Sequence, residues 1–167
     1  SGNEKQKKKK RKKENKWFEN FVNFTNKDKA FFFEKKTDIK KIEKSIGFKI
    51  SKNQNFIEYS QLCLNYLKKI SKIIKKNNGG LLLIDYGYID GKMKNTLQAV
   101  SNHKIANILK NIGNIDITHN LNFSFLKNFI KQMGGLSVNL TTQEEFLIKL
   151  GIKERAEIIS KNKDFLQ

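Results

Sequence analysis

A helix-like stretch that runs directly into a block of four apolar residues is the strongest constraint on this chain. From Ser60 to Asn77, apolar residues recur at helical spacing: Cys63, Tyr66/Leu67, Ile70 and Ile73/Ile74. Lys75 and Lys76 fall in the last turn, where they complement the helix dipole, and Asn78-Gly79-Gly80 predicts its end. Leu81-Leu82-Leu83-Ile84 follows at once, and four apolar residues in a row predict a short strand buried on both faces. A helix feeding such a strand predicts an α/β fold with a mostly parallel sheet. Asp85-Tyr86-Gly87 then stands where the strand leaves the core, and ligands of open α/β sheets bind outside the carboxyl ends of strands. Position alone therefore marks Asp85 as a candidate site residue. Cys63 on the apolar face reads as a small hydrophobe rather than a nucleophile.

On the N-terminal side, two aromatic runs (Phe18, Phe21, Val22, Phe24 and Ala30 to Phe33) flank the turn cluster Thr25 to Lys29 and predict a β-hairpin. Residues 38–57 show no clear period and are interrupted by Gly47. The polar loop 88–102 has a length that tends to be functional. Ile105, Ile108, Leu109 and Ile112 predict a short helix ended by Gly113. Asn122 predicts the cap of a further helix, and Leu136 to Leu140 alternates like a strand. Thr142 with Glu145 fits a capping box, and Ile152 to Lys161 predicts a last amphipathic helix.

The net charge is +18, and residues 1–16 alone hold nine Lys/Arg against two Glu. This low-complexity run predicts a solvated basic arm or loop at 1–16, an ordered domain at 17–162 and a tail at 163–167. The field favours anionic partners. Lysine greatly outnumbers arginine, however, and arginine is the residue suited to bidentate recognition, so specific nucleic-acid binding is not expected. No apolar run approaches the length needed to span a bilayer. The single cysteine excludes a disulfide framework and a multi-cysteine zinc site, and an intracellular, cytoplasmic setting is expected. There is no phosphate-cradling glycine loop: Gly79-Gly80 ends a helix and precedes a strand, the wrong direction for a cofactor turn. Of the two histidines, His103 is better placed, just after the long loop; His119 beside Thr118 reads as a turn residue, as does Asp90-Gly91.

From Trp17 onward the chain resembles the C-terminal half of the MidA-type S-adenosylmethionine-dependent methyltransferases, relatives of a mitochondrial complex I assembly factor. The resemblance is carried by Trp17-Phe18-Glu19, Glu58-Tyr59-Ser60, Gly80 through Gly87, and Asn95 to Val100 with His103. It continues through Asp116-Ile117-Thr118 with Asn122-Phe123, then Thr142-Gln143 with Phe146-Leu147, and Leu150-Gly151-Ile152 with Arg155-Ala156. It implies the C-terminal portion of a class I, Rossmann-like methyltransferase, with S-adenosylmethionine as cofactor and a protein side chain such as arginine as acceptor. It further implies Asp85 and Tyr86 as catalytic candidates. Gly87, Gln98, His103 and Asn120 become candidates for substrate binding, with Glu4 a second carboxylate if Asn3-Glu4 is the family's Asn-Glu pair. The family commonly has His at the position of Asn120 and Asp at Asn122, so its histidine role is not carried over to His119. The family's glycine-rich cofactor loop and its ribose-binding acidic strand have no counterpart in residues 1–167. A missing N-terminal half or a homo-oligomer is the partner expected on that ground. The competing reading is a noncatalytic basic module that binds acidic protein or nucleic acid through the 5–16 run.

The chemistry sets what such a site needs. A guanidinium has a pKa above 12, so a carboxylate must orient it and help to remove its proton late in transfer. Holding donor methyl and attacking nitrogen in line supplies much of the rate.

Overall fold

The computed structural model describes residues 7–13, 16–27, 29–52, 54–101 and 103–161. Strands β1 (Lys7–Lys13), β2 (Lys16–Phe24), β3 (Ala30–Thr37) and β4 (Phe56–Ser60) form one sheet in the order β3-β2-β1-β4, antiparallel throughout. The expected hairpin is β2–β3. Phe21 stands opposite Phe33, with their rings stacked at 5.6 Å. The Thr25 hydroxyl accepts from the backbone N–H groups of Lys27 and Lys29 and shapes the turn.

Over residues 7–13 the expected basic arm or loop is instead strand β1. Seven consecutive cationic residues form an inner strand, paired with β2 on one side and β4 on the other. The physical reason lies in the partners. Lys10 is 1% exposed, and its Nζ lies 3.5 Å from Glu19 Oε2 and 5.4 Å from the Tyr59 ring centroid. An all-cationic run has no apolar–polar alternation of its own with which to choose a register. The register comes from its neighbours: Glu19 stands directly opposite Lys10 on β2, and Ile57 opposite Lys10 on β4. Glu4 and the tail 163–167 lie outside the described residues.

Burial, first, and the neighbouring Glu19 carboxylate push the Tyr59 phenol up to about 12. Its unfolded value is about 10. The fold therefore favours the neutral phenol, and that stabilisation is complete below pH 10 and lost as pH rises through 12. The unfolding free energy is expected to fall by on the order of 2 kcal/mol between those limits. Denaturant titrations across this range test it, and Tyr59→Phe should remove that part of the pH dependence.

Helix α1 (Ile39–Ile46) occupies the stretch that showed no clear period. Asp38 caps it by accepting from Lys40 N, and Gly47 closes it at φ 100°, in the left-handed region that glycine enters at no steric cost. Helix α2 (Gln61–Asn77) is the helix read from the sequence, capped by Ser60 and ended by Asn78 at φ 50°. It buries Leu64, Leu67 and Ser71. Leu64 and Leu67 pack with Trp17, Ile46, Ile50, Ile57, Tyr59 and Met93, and with Phe125, Leu126 and Phe129 from a later helix, to make the core.

Leu81 to Ile84 departs from expectation. The segment lies outside any helix or strand, and its residues are 50%, 63%, 43% and 67% exposed in order. A doubly buried strand needs a wall on each face and a ladder on each edge; none of the described elements supplies them. The expected mostly parallel sheet is corrected with it. Among the described residues parallel pairing occurs in one short pair, β5 (Gly87–Tyr88) with β9 (Leu121–Asn122). The strands β6 (Gln98–Ser101), β7 (Lys104–Ala106) and β8 (Asp116–Thr118) form a second antiparallel sheet, ordered β7-β6-β8. The helix expected from Ile105 is instead β7 followed by turns, because Ile105 pairs across from Val100. The molecule is thus α/β with mixed pairing.

Helix α3 (Phe123–Gln132) starts at Asn122, whose Oδ1 accepts from Phe125 N at 2.9 Å. Leu136 to Leu140 is not in a ladder. Helix α4 (Gln143–Lys149) carries the expected capping box of Thr142 and Glu145. Helix α5 (Ile152–Lys161) follows, and neither α4 nor α5 has a buried residue.

Candidate functional site

The parallel β5–β9 pair brings two distant segments into contact. Leu121 N donates to the Tyr86 carbonyl at 2.9 Å, and Gly87 lies opposite Leu121. The approach is close enough to require glycine. A Cβ at Gly87 would stand 2.4 Å from the Leu121 carbonyl oxygen and 2.5 Å from the Phe123 ring. Tyr86 and Gly87 are thereby fixed beside Asn120.

Beneath this junction lies Glu58, a buried carboxylate in the middle of β4. Its Oε2 accepts from Thr96 N at 3.0 Å and its Oε1 from the Thr96 hydroxyl at 2.9 Å. Asn120 N donates to that same hydroxyl oxygen at 3.1 Å. Asn120 N–H, Thr96 Oγ1–H and the Glu58 carboxylate form a directional chain that ties the 119–122 segment and the long loop to the sheet. Gln54 holds the loop further back: Met93 N donates to its Oε1 at 2.8 Å. Lys92 N donates to Asp90 Oδ1 at 3.0 Å, which agrees with the turn reading of Asp90-Gly91.

Glu58, Ser60, Cys63, His119, Asn120 and Asn122 line a small open cavity of about 30 Å³. That is room for a water-sized group, against roughly 300–1,000 Å³ for a pocket that encloses a small molecule. Asp85 is exposed, with its Oδ1 accepting from Tyr86 N at 2.7 Å. Its charge still reaches the cavity: burial, first, and the Asp85 carboxylate raise the Cys63 thiol above its ordinary value. Glu58 and Asp85 are thus two carboxylates associated with one cleft.

The structure brings Asp85, Tyr86, Gly87 and Asn120 together. Asn120 enters through its backbone, while its side chain is exposed. Gln98 is exposed at the start of β6, opposite Thr118. His103 is exposed at φ 60° in the tight turn between β6 and β7. It does not join the cleft. Glu58 and Thr96 were not singled out from sequence. The available signal was a carboxylate set between Ile57 and Tyr59, in a strand where both neighbours are buried.

The family that the chain resembles is S-adenosylmethionine-dependent, but this cavity does not itself enclose the cofactor. The cavity is far too small to enclose it, and the Glu58–Thr96–Asn120 donors and acceptors are engaged with one another. Among the described residues no group of three or more His, Cys, Asp or Glu could hold a metal, and no helix is long and apolar enough to cross a membrane.

Comparison with known proteins supplies the context for this cleft. Curated relatives include the mitochondrial protein arginine methyltransferase NDUFAF7 of Danio rerio, 30% identical over 100 residues, which cover 59% of this chain and 23% of that protein. The Caenorhabditis elegans homologue is 28% identical over 141 residues, covering 83% and 33%. The chain therefore spans between about a fifth and a third of the length of these relatives. Among solved structures, a Burkholderia thailandensis protein bound to S-adenosyl-homocysteine superposes with a TM-score of 0.70 at 17% identity, over 95% of this chain and 42% of that one. A native crystal structure from the same organism gives 0.67 at 16% identity, over 89% and 41%. The family model of S-adenosyl-L-methionine-dependent methyltransferases matches residues 8–142, which include all but the first residue of β1, the cleft and its supporting residues. The chain belongs to that methyltransferase family.

Proposed function

We propose that this chain forms the acceptor side of an S-adenosylmethionine-dependent protein methyltransferase, with an arginine side chain as the acceptor. The observation that carries the reading is the β5–β9 junction, which places Asp85-Tyr86-Gly87 beside Asn120 over the buried Glu58, inside the stretch matched by the family model. S-adenosylmethionine supplies the methyl group when bound. The residues described here act on the acceptor. Asp85 opposes the guanidinium charge and orients the nitrogen that loses its proton. Glu58 holds Thr96 and Asn120 in place, so that the cleft is preorganised. The noncatalytic basic module gains no support from the comparisons.

The cofactor site belongs to a further segment that covers Leu81 to Ile84, supplied by a longer chain or by a separate one. The reading is supported by the four exposed apolar side chains and by relatives two to five times the matched length.

Two measurements test the proposal. Calorimetric titration of the isolated chain with S-adenosylmethionine should show no micromolar binding; such binding would mean that the cofactor site has been misplaced. In the enzyme completed with its cofactor-binding segment, Asp85→Asn should lower methyl transfer about 100-fold or more while changing cofactor affinity less than about twofold. Unchanged turnover would remove Asp85 from the mechanism.

A further inference from the structure

We propose that the layer made by α1, α2 and α3 is a docking surface for an acidic segment of the protein substrate, flanking the side chain presented to the cleft. This rests on the acceptor-side reading above. The three helices carry three, five and two lysines, ten in all, against one acid, Glu43. That acid is turned inward: its Oε1 accepts from Ile50 N, Ser51 N and the Ser51 hydroxyl at 2.9, 2.9 and 2.7 Å.

The charge is continuous across the layer. Lys68 Nζ lies 3.2 Å from the Ser45 carbonyl at the end of α1 and 5.6 Å from the Phe129 ring centroid on α3. Lys75 Nζ lies 3.1 Å from the Met133 carbonyl at the end of α3. Lys68, Lys72, Lys75 and Lys76 recur at helical spacing on α2 and make one stripe. Like charges at this spacing cost a few tenths of a kcal/mol per pair, and these helices offer no outward carboxylate to offset the cost.

The chemistry of the stripe selects the partner. Lysine offers a point charge rather than the bidentate fork that reads bases. Tyr66 is the exposed aromatic of α2, so the layer has no row of rings on which bases could stack. The exposed large apolar residues of α2 are Leu62, Tyr66 and Ile73, with Lys69 Nζ 5.9 Å from the Tyr66 ring centroid, a smaller apolar face than the continuous one that an interfacial helix inserts. Carboxylates of a polypeptide match what remains.

Position completes the argument. Cys63, near the start of α2, lines the cleft. At 1.5 Å per residue, Lys68 and Lys75 stand about 8 and about 18 Å beyond it along the helix. At about 100° per residue these lysines are also turned about 120–140° around α2 from Cys63, so a peptide leaving the cleft must cross the helix as well, and at about 3.3 Å per residue its acidic residues would fall no closer than roughly two to six positions from the acceptor.

The test is fluorescence anisotropy of the 167-residue chain with three labelled peptides in low salt. One carries arginine followed by four acidic residues at positions two to six, the second has glutamine in place of those acids, and the third keeps the acids but has alanine for arginine. Both acidic peptides should bind about tenfold tighter than the glutamine peptide. The preference should vanish in Lys72→Glu/Lys76→Glu/Lys131→Glu, three exposed positions, and persist in Lys104→Glu/Lys110→Glu, outside the layer. A circular-dichroism melt verifies that the triple variant is folded; if it is not, Lys72→Gln and Lys131→Gln taken singly should each weaken acidic-peptide binding two- to threefold. Equal binding of acidic and glutamine peptides overturns the proposal. So does displacement of the acidic peptide by oligo(U) RNA or phosphatidylserine vesicles at lower charge concentration than unlabelled acidic peptide. Docking is read from the alanine peptide, without methyl transfer, so its outcome is separable from that of the Asp85 experiment.

Discussion

Removal of Lys7–Lys13 is expected to abolish cooperative thermal unfolding. The segment pairs with β2 through four residues and with β4 through five, so its loss breaks both ladders and separates the β2–β3 hairpin from β4. Each backbone hydrogen bond contributes a net 0.5–1.5 kcal/mol or so, and the break also exposes Trp17, Ile57 and Tyr59. The sum is comparable with a typical domain's entire stability of about 5–15 kcal/mol. Circular-dichroism melts and dye binding would report a non-cooperative chain with exposed apolar surface. A melting temperature within a degree or two of the intact chain would instead restore the reading of this run as a solvated arm.

Gly87→Ala should be the most damaging single substitution at the cleft. The new methyl would meet a backbone carbonyl at 2.4 Å and the Phe123 ring at 2.5 and 2.7 Å. A carbonyl held in a β-pair cannot swing aside as the tip of a lysine can. Overpacking of this kind costs about 1–3 kcal/mol, more where backbone must move. Relief requires β5 and β9 to separate, which displaces Tyr86 from Asn120 and disorganises the acceptor cleft. Urea titration should show a loss of at least about 2 kcal/mol. Gly91→Ala is the control: nothing lies within 4 Å of its Cβ position, so its effect should stay below about 0.5 kcal/mol.

Local signals in the sequence were sufficient for the elements whose stability is local. The period and caps of α2, the Asn122 cap of α3, the Thr142–Glu145 capping box and the turn of the β2–β3 hairpin are all written in residues a few positions apart. Helix α1 is too short for its period to stand out in the sequence, and its local signals are the Asp38 cap and the closing Gly47. The Asp85-Tyr86-Gly87 segment and the Asn120 region were legible through family resemblance. What escaped depends on partners distant in sequence. A lysine run is disordered or an inner strand according to whether a carboxylate and an aromatic ring meet it, and Glu19 and Tyr59 do so only after β2 and β4 have closed on it. Leu81 to Ile84 carries the pattern of a buried strand, but burial is a property of walls that the segment does not itself provide. Glu58 became a site residue only when the fold brought Thr96 and Asn120 to it from 38 and 62 positions away. The sequence by itself determined the capped helices α2, α3 and α4, the turn of the β2–β3 hairpin and which family the chain resembles. The tertiary structure decided which charges are buried and which segments face each other, because desolvation and pairing depend on groups that the chain brings together only by folding.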